Sequence, residues 1–174
     1  MSASVFCNKI RNRPSRNLRY LWHFTDRRNI PTIKERGLLS LRTIKKNKLC
    51  VVHGGNSWSH QADERFGLDA YVHLCFFDQH RMEYIARTEG RIGESVFLGI
   101  SPDVVKKPGS KFCPGIANKV GIPSYDIAAL KYDEADFEML FSFVPWGLNR
   151  SRLEETKKYQ LLIPDQIEPE YILF

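Results

Sequence analysis

His23, Thr25 and Asn29 stand two and then four residues apart, at the point where an apolar run gives way to a polar one. Together they offer ring nitrogens, a hydroxyl and a carboxamide, a donor and acceptor set suited to the hydroxyls and phosphate oxygens of a small polar ligand. A strand that hands over to a helix at these residues would place all three at one end of a sheet, where small-molecule sites form. Other chemistries are absent. The chain has no GxGxxG and no GxxxxGK[ST] phosphate loop, and no GxSxG nucleophile turn. Cys7, Cys50, Cys75 and Cys113 are scattered without a CxxC pair, so they read as free thiols rather than zinc ligands. His53, His60, His73 and His80 show no metal spacing either.

The elements around these residues can be read from pattern. Tyr20–Phe24 predicts a first strand. Thr25 or Asp26 caps a helix that runs through about Arg36 and stops at Gly37. Residues 41–57 are basic and then glycine-rich, as expected of an exposed loop. Trp58–Phe66 has helical composition. Ala70–Phe77 is the clearest strand, with Val72, Leu74 and Phe76 on one face and Tyr71, His73, Cys75 and Phe77 on the other. A helix over Asp78–Thr88 and a strand over Glu94–Ile100 follow. Breakers through 107–124 predict irregular structure. Phe137–Val144 reads as an aromatic strand, Arg150–Lys158 as a helix capped by Asn149, and Tyr159–Ile163 as a strand ended by Pro164. Ile167–Phe174 is expected to be extended and to close the sheet. Strands and short helices without a βαβ rhythm predict an α+β fold.

The 174 residues, 43% apolar and 26% charged, suit one globular domain over 1–174, with residues 1–17 as a mobile basic arm. No apolar run is long enough for a membrane span, and the first residues lack the apolar stretch of a secretory signal, so a cytoplasmic protein with no membrane partner is expected. The net charge of +6 gathers partly in Lys9–Arg19 and Arg42–Lys48, runs that could attract a phosphate backbone or simply form a solvated face.

Four blocks carry a family resemblance. They are Leu21-Trp22-His23-Phe24-Thr25-Asp26 with Asn29-Ile30-Pro31 and Gly37-Leu38-Leu39-Ser40; Trp58-Ser59-His60-Gln61-Ala62-Asp63-Glu64-Arg65 with Gly67-Leu68-Asp69 and Tyr71-Val72-His73-Leu74-Cys75-Phe76; His80-Arg81-Met82-Glu83-Tyr84; and Lys158-Tyr159-Gln160-Leu161-Leu162-Ile163-Pro164-Asp165. In order and spacing they resemble the DarT-type toxins that attach ADP-ribose to DNA bases. The resemblance implies an ADP-ribosyltransferase fold, a split and bent sheet with short helices around an NAD cleft. It further implies NAD as co-substrate without a metal, single-stranded DNA as acceptor, and a DarG-like macrodomain antitoxin as partner. His23, Thr25 and Asn29 would then hold the ribose and pyrophosphate side of NAD. Tyr71, Met82 and Tyr84 would line the nicotinamide pocket, and Arg65 would be the functional arginine. The His-Phe-Thr opening is more similar to the guanine-modifying branch than to the thymine-modifying one.

Gln160 stands where the resemblance implies a catalytic glutamate. A carboxylate there would stabilise the oxocarbenium-like cation left by nicotinamide and take a proton from the attacking base. Glutamine can bond a ribose hydroxyl but is neither base nor anion. The chain is therefore expected to be an inactivated or weakened form, through an engineered change or as a natural variant, unless Glu154, Glu155 or another acid serves. Two rival readings remain: an NAD-dependent transferase acting on RNA or protein, and a non-catalytic nucleic-acid-binding module.

Overall fold

The computed structural model describes residues 1–174. In chain order its helices are α1 (Ala3–Arg11), α2 (Ile30–Arg36), α3 (Leu41–Lys46), α4 (Ser57–Arg65), α5 (Arg81–Thr88), α6 (Phe137–Phe141) and α7 (Arg150–Thr156). Its strands are β1 (Leu21–Asp26), β2 (Leu38–Leu39), β3 (Tyr71–Cys75), β4 (Ser95–Ile100), β5 (Lys111–Cys113), β6 (Tyr125–Asp126), β7 (Gln160–Pro164), β8 (Gln166–Ile167) and β9 (Ile172–Leu173). Seven strands form one sheet in the order β6-β5-β7-β3-β1-β4-β9, and β2 pairs with β8 in a second. No helix is long and apolar enough to cross a membrane.

The large sheet consists of two well-laddered halves. On one side β1 runs antiparallel to β4 in continuous register from Leu21↔Ile100 to Asp26↔Ser95. On the other β3 pairs with β7 from Tyr71↔Pro164 to Cys75↔Gln160. Between the halves, β1 meets β3 only at Trp22↔Cys75. Beyond that point the strands diverge, and a cleft opens in the middle of the sheet. Its floor is strengthened by the Cys75 thiol, which donates to the Trp22 carbonyl at 3.2 Å.

Sequence and structure agree on an α+β fold and on most elements, but differ at four places. Residues 1–17 are not a mobile arm. Ser2 caps α1 through the Val5 N–H, and the helix buries Phe6, Cys7 and Ile10. Phe6 packs edge-on against Phe76, Phe112, Phe137 and Phe141 at the centre of the core. Phe137–Val144 is no strand either. Asp136 caps α6 by accepting from the Met139 N–H at 3.0 Å, helical spacing then buries Phe137 and Leu140, and Phe143, beyond the end of the helix, is exposed. The expected loop at 41–57 begins with α3, whose cap is Ser40. Within the breaker-rich 107–124, Lys111–Cys113 extends the sheet by pairing with β7.

Gly37 ends α2 at φ 78°, and a Cβ there would lie 2.0 Å from the Ile167 carbonyl oxygen. Only glycine permits both the left-handed turn and the close approach of β8.

Candidate active site

The cleft between the half-sheets holds a cavity of about 260 Å³. β1 contributes His23 and Thr25, β3 contributes Tyr71 and His73, and β7 contributes Gln160. His80 at the cap of α5 and Met82 in its first turn join them, α4 adds His60 and Asp63, and the loop at 49–55 covers one side with Val52, His53, Gly54 and Gly55.

Each polar group on β1 is held in a defined state. His23 Nδ1 lies 3.0 Å from the His73 carbonyl oxygen, across the split. A carbonyl can only accept, so Nδ1 carries the proton and Nε2 is left as an acceptor. Burial lowers the His23 pKa, which keeps the ring neutral. Thr25 is buried, and its Oγ1 accepts from Asn29 Nδ2 at 3.0 Å, which leaves the hydroxyl proton for another partner. Asn29 also donates to the Val52 carbonyl at 2.8 Å and accepts from the Val52 N–H at 2.8 Å. Its carboxamide is thus a fixed brace between β1 and the covering loop.

Gln160 is buried at the start of β7. Its Oε1 accepts from the Ala117 N–H at 2.9 Å, and that donor fixes which way the amide faces. The adjacent residue, Asn118, also lines the cavity and donates to Ser59 Oγ at 2.9 Å. Beside it Asp63 is the one carboxylate among the lining residues, which include no lysine or arginine. Asp63 Oδ1 is buried without a hydrogen-bond partner, and burial raises the pKa of the carboxyl.

All five histidines of the chain line this cavity. His53 and His60 meet edge to face with ring centroids 4.9 Å apart, and a Cβ on Gly55 would lie 2.7 Å from His60 Nε2. The His80 ring lies nearly parallel to Phe24, its Nδ1 accepts from the Met82 N–H at 3.3 Å, and burial lowers its pKa to about 4. This convergence has no signature in the sequence, because the histidines sit on five separate segments. No group of three His, Cys, Asp or Glu side chains is arranged to hold a metal ion.

Of the residues singled out by sequence, His23, Thr25, Asn29, Tyr71, Met82 and Gln160 share the cavity. Arg65 and Tyr84 do not line it. Arg65 is exposed at the end of α4, with its guanidinium 5.8 Å from the Phe66 ring centroid. Tyr84 is 59% exposed on α5, where Arg87 lies over its ring. Helical phase explains both, since Asp63 and Met82, two residues earlier, take the inward faces. Glu154 and Glu155 are also away from the cavity, paired with Lys157 and Lys158 on the surface.

The basic runs are largely engaged within the fold. Arg11 pairs with Asp103, Arg13 is buried, Arg19 donates to the Arg13 carbonyl, and Lys9 lies over Tyr132 and Phe141. In the second run Arg42 pairs with Asp69 and Lys45 with Glu64.

Comparisons with known proteins converge on one family. The chain superimposes on Thermosipho africanus DarTG in complex with ADP-ribose with a TM-score of 0.64, at 17% identity over 88% of this chain and 42% of that one. It therefore spans less than half the length of that protein. Thermus sp. 2.9 DarT in complex with ADP-ribosylated ssDNA superimposes with a TM-score of 0.60, at 16% identity over 87% of this chain and 78% of that one. Both likenesses establish the fold. No curated protein matches by sequence. The family model described as "ssDNA thymidine ADP-ribosyltransferase, DarT" matches residues 22–173, nearly the whole chain, and the chain belongs to that DarT family.

Proposed function

We propose that this protein transfers ADP-ribose from NAD to a nucleobase in single-stranded DNA, as the toxin of a toxin–antitoxin pair, and that Gln160 weakens it. The observation that carries the reading is the meeting of His23, Thr25 and Gln160 on one cavity at the split of the sheet, in a chain of the DarT family. In this reading His23 Nε2 accepts from a ribose hydroxyl, and the Thr25 hydroxyl donates to a ligand oxygen. Tyr71 and Met82 flank the nicotinamide. Asn29 acts by bracing the loop over the ligand. NAD is the co-substrate, and no metal takes part. A base reaches such a cavity only when unstacked, which favours single strands.

The family description names thymidine, and the Thermus structure holds ADP-ribosylated ssDNA. The His23-Phe24-Thr25 opening points instead to guanine. Fragmentation of the product discriminates between the two. A DarG-like macrodomain partner is in keeping with the likeness to DarTG.

The test is mass spectrometry of a mixed-sequence single-stranded oligonucleotide after incubation with NAD. This chain is compared with its Gln160→Glu variant. An ADP-ribose adduct, stronger with the variant, is the expected result. No adduct from either protein, with NAD binding also absent, rejects the reading.

A further inference from the structure

Gln160 leaves the transfer without the charge and the proton acceptor that it needs, yet the cavity still contains a carboxylate. Asp63 reaches it from α4, and the turn at Ala117-Asn118 ties it to Gln160. The Ala117 N–H holds the Gln160 amide, while the next side chain, Asn118, lies between Ser59 and Asp63. The two groups therefore flank adjacent residues of one turn. Asn118 supports the Asp63 carboxyl, and Oδ1 is left buried without a partner of its own, an arrangement suited to a carboxylate that meets a ligand.

We propose that in this chain Asp63 is the catalytic carboxylate: it stabilises the cationic ribose and accepts the proton of the attacking base, while Gln160 remains as a neutral hydrogen-bonding partner for a ribose hydroxyl. The proposal rests on the reading of the cavity as an NAD site. The bond between ribose C1′ and the nicotinamide nitrogen breaks, and its electron pair leaves with nicotinamide. A nitrogen of the base attacks C1′ with its lone pair, and the proton of that nitrogen passes to Asp63. The charges balance, because the pyridinium charge of NAD is discharged as the nicotinamide leaves and the released proton is carried away by the carboxylate.

Burial raises the Asp63 pKa, which brings the carboxylate nearer to the basicity such a step requires. His73 on β3 and the hydrogen bond from Asn118 favour the ionised form, while Asp69 and Glu64 oppose it; Glu64 is paired with Lys45 and Asp69 with Arg42. Neither of the two acids lines the cavity, so Asp63 is its one carboxylate.

The test measures adduct formation from NAD and single-stranded DNA across pH 5–9 for five proteins: this chain, Asp63→Asn, Asp63→Ala, Gln160→Glu and the Asp63→Asn/Gln160→Glu double variant. NAD affinity and thermal melting are followed in parallel. Asp63→Asn is expected to lower kcat about 100-fold with KM for NAD little changed, and to remove the acid limb of the pH profile. Gln160→Glu restores the rate in the Asp63→Asn background, and formate rescues Asp63→Ala, which a purely structural role would not allow. Unchanged kcat in Asp63→Asn overturns the proposal. So does a chain that binds NAD but is inactive at every pH while Gln160→Glu is active. Absence of NAD binding by the unaltered chain rejects the underlying NAD reading as well, and so separates the two failures.

Discussion

Asn29 and Val52 exchange two hydrogen bonds, side-chain carboxamide against backbone, each 2.8 Å long. The carboxamide imitates a neighbouring strand, and with its third bond to Thr25 it ties the covering loop to β1. Asn29→Ala is expected to cost about 1–3 kcal/mol in denaturant unfolding, because the Val52 backbone groups lose their partner. It should also raise KM for NAD more than it lowers kcat. Asn29→Asp, which cannot donate to the Val52 carbonyl, should lie close to Ala.

Gln160→Glu is expected to raise turnover by about 10²-fold or more, through the added charge and base. The Ala117 N–H already donates to this position and would support a carboxylate. Single-turnover rates with saturating NAD and DNA measure the gain, and equal rates would remove Gln160 from the chemistry.

Asp63 should make the fold less stable when it ionises. Its pKa is raised in the folded state, so the stability tied to its protonated form is complete below the ordinary aspartate value and is lost as pH rises through the folded one. Asp63→Asn is therefore expected to melt higher than the unaltered chain at neutral pH, with the gap closing toward pH 3. Parallel melts at the two pH values decide the matter.

Asp26 has the opposite sign. Its buried carboxylate accepts from the Arg28 backbone at 2.9 Å, from Arg28 Nε at 2.8 Å and from the Gly93 N–H at 2.8 Å. These bonds hold its pKa well below the usual carboxylate range. Their stability is present above the ordinary aspartate value and is lost as pH falls through the folded one. Asp26→Asn should cost about 1.5–3 kcal/mol at neutral pH and flatten acid unfolding. Arg28→Ala should cost less, since the Arg28 side chain is 67% exposed.

Arg13 is fully buried. It donates to the Leu18 and Phe76 carbonyls at 2.9 and 2.6 Å and lies over the Phe77 ring. Arg13→Ala is expected to cost about 3 kcal/mol or more, from the void and the stranded carbonyls, as read from the denaturant midpoint. A surface arginine would show almost no change.

The strands that frame the cleft were legible, β3 from its alternation and β1 and β7 from short apolar runs ended by polar residues or proline. The turn from Asp26 into α2 was legible from its cap and Gly37. The basic run from Lys9 onward hid α1, and Arg13, a buried cation just beyond the helix, reads in sequence as one more surface charge. Phe137–Phe143 misled because successive apolar residues satisfy both periods, and the capping side chain of Asp136 decided for helix. Asp63 had no signature of its own within the polar helix before Arg65. In the fold Asp63 turns inward, while Lys45 and Arg42 take the neighbouring acids. Convergence of distant side chains, such as the histidines, depends on tertiary packing and leaves no local pattern.

The junction at Trp22↔Cys75 gives the molecule a mechanical character. Two stiff plates share a seam one residue pair wide, reinforced by the imidazole of His23 on the His73 carbonyl. A ligand seated between the plates acts as a staple across that seam. Amide exchange in both plates would then slow together when the cleft is filled, though neither plate changes its own ladder.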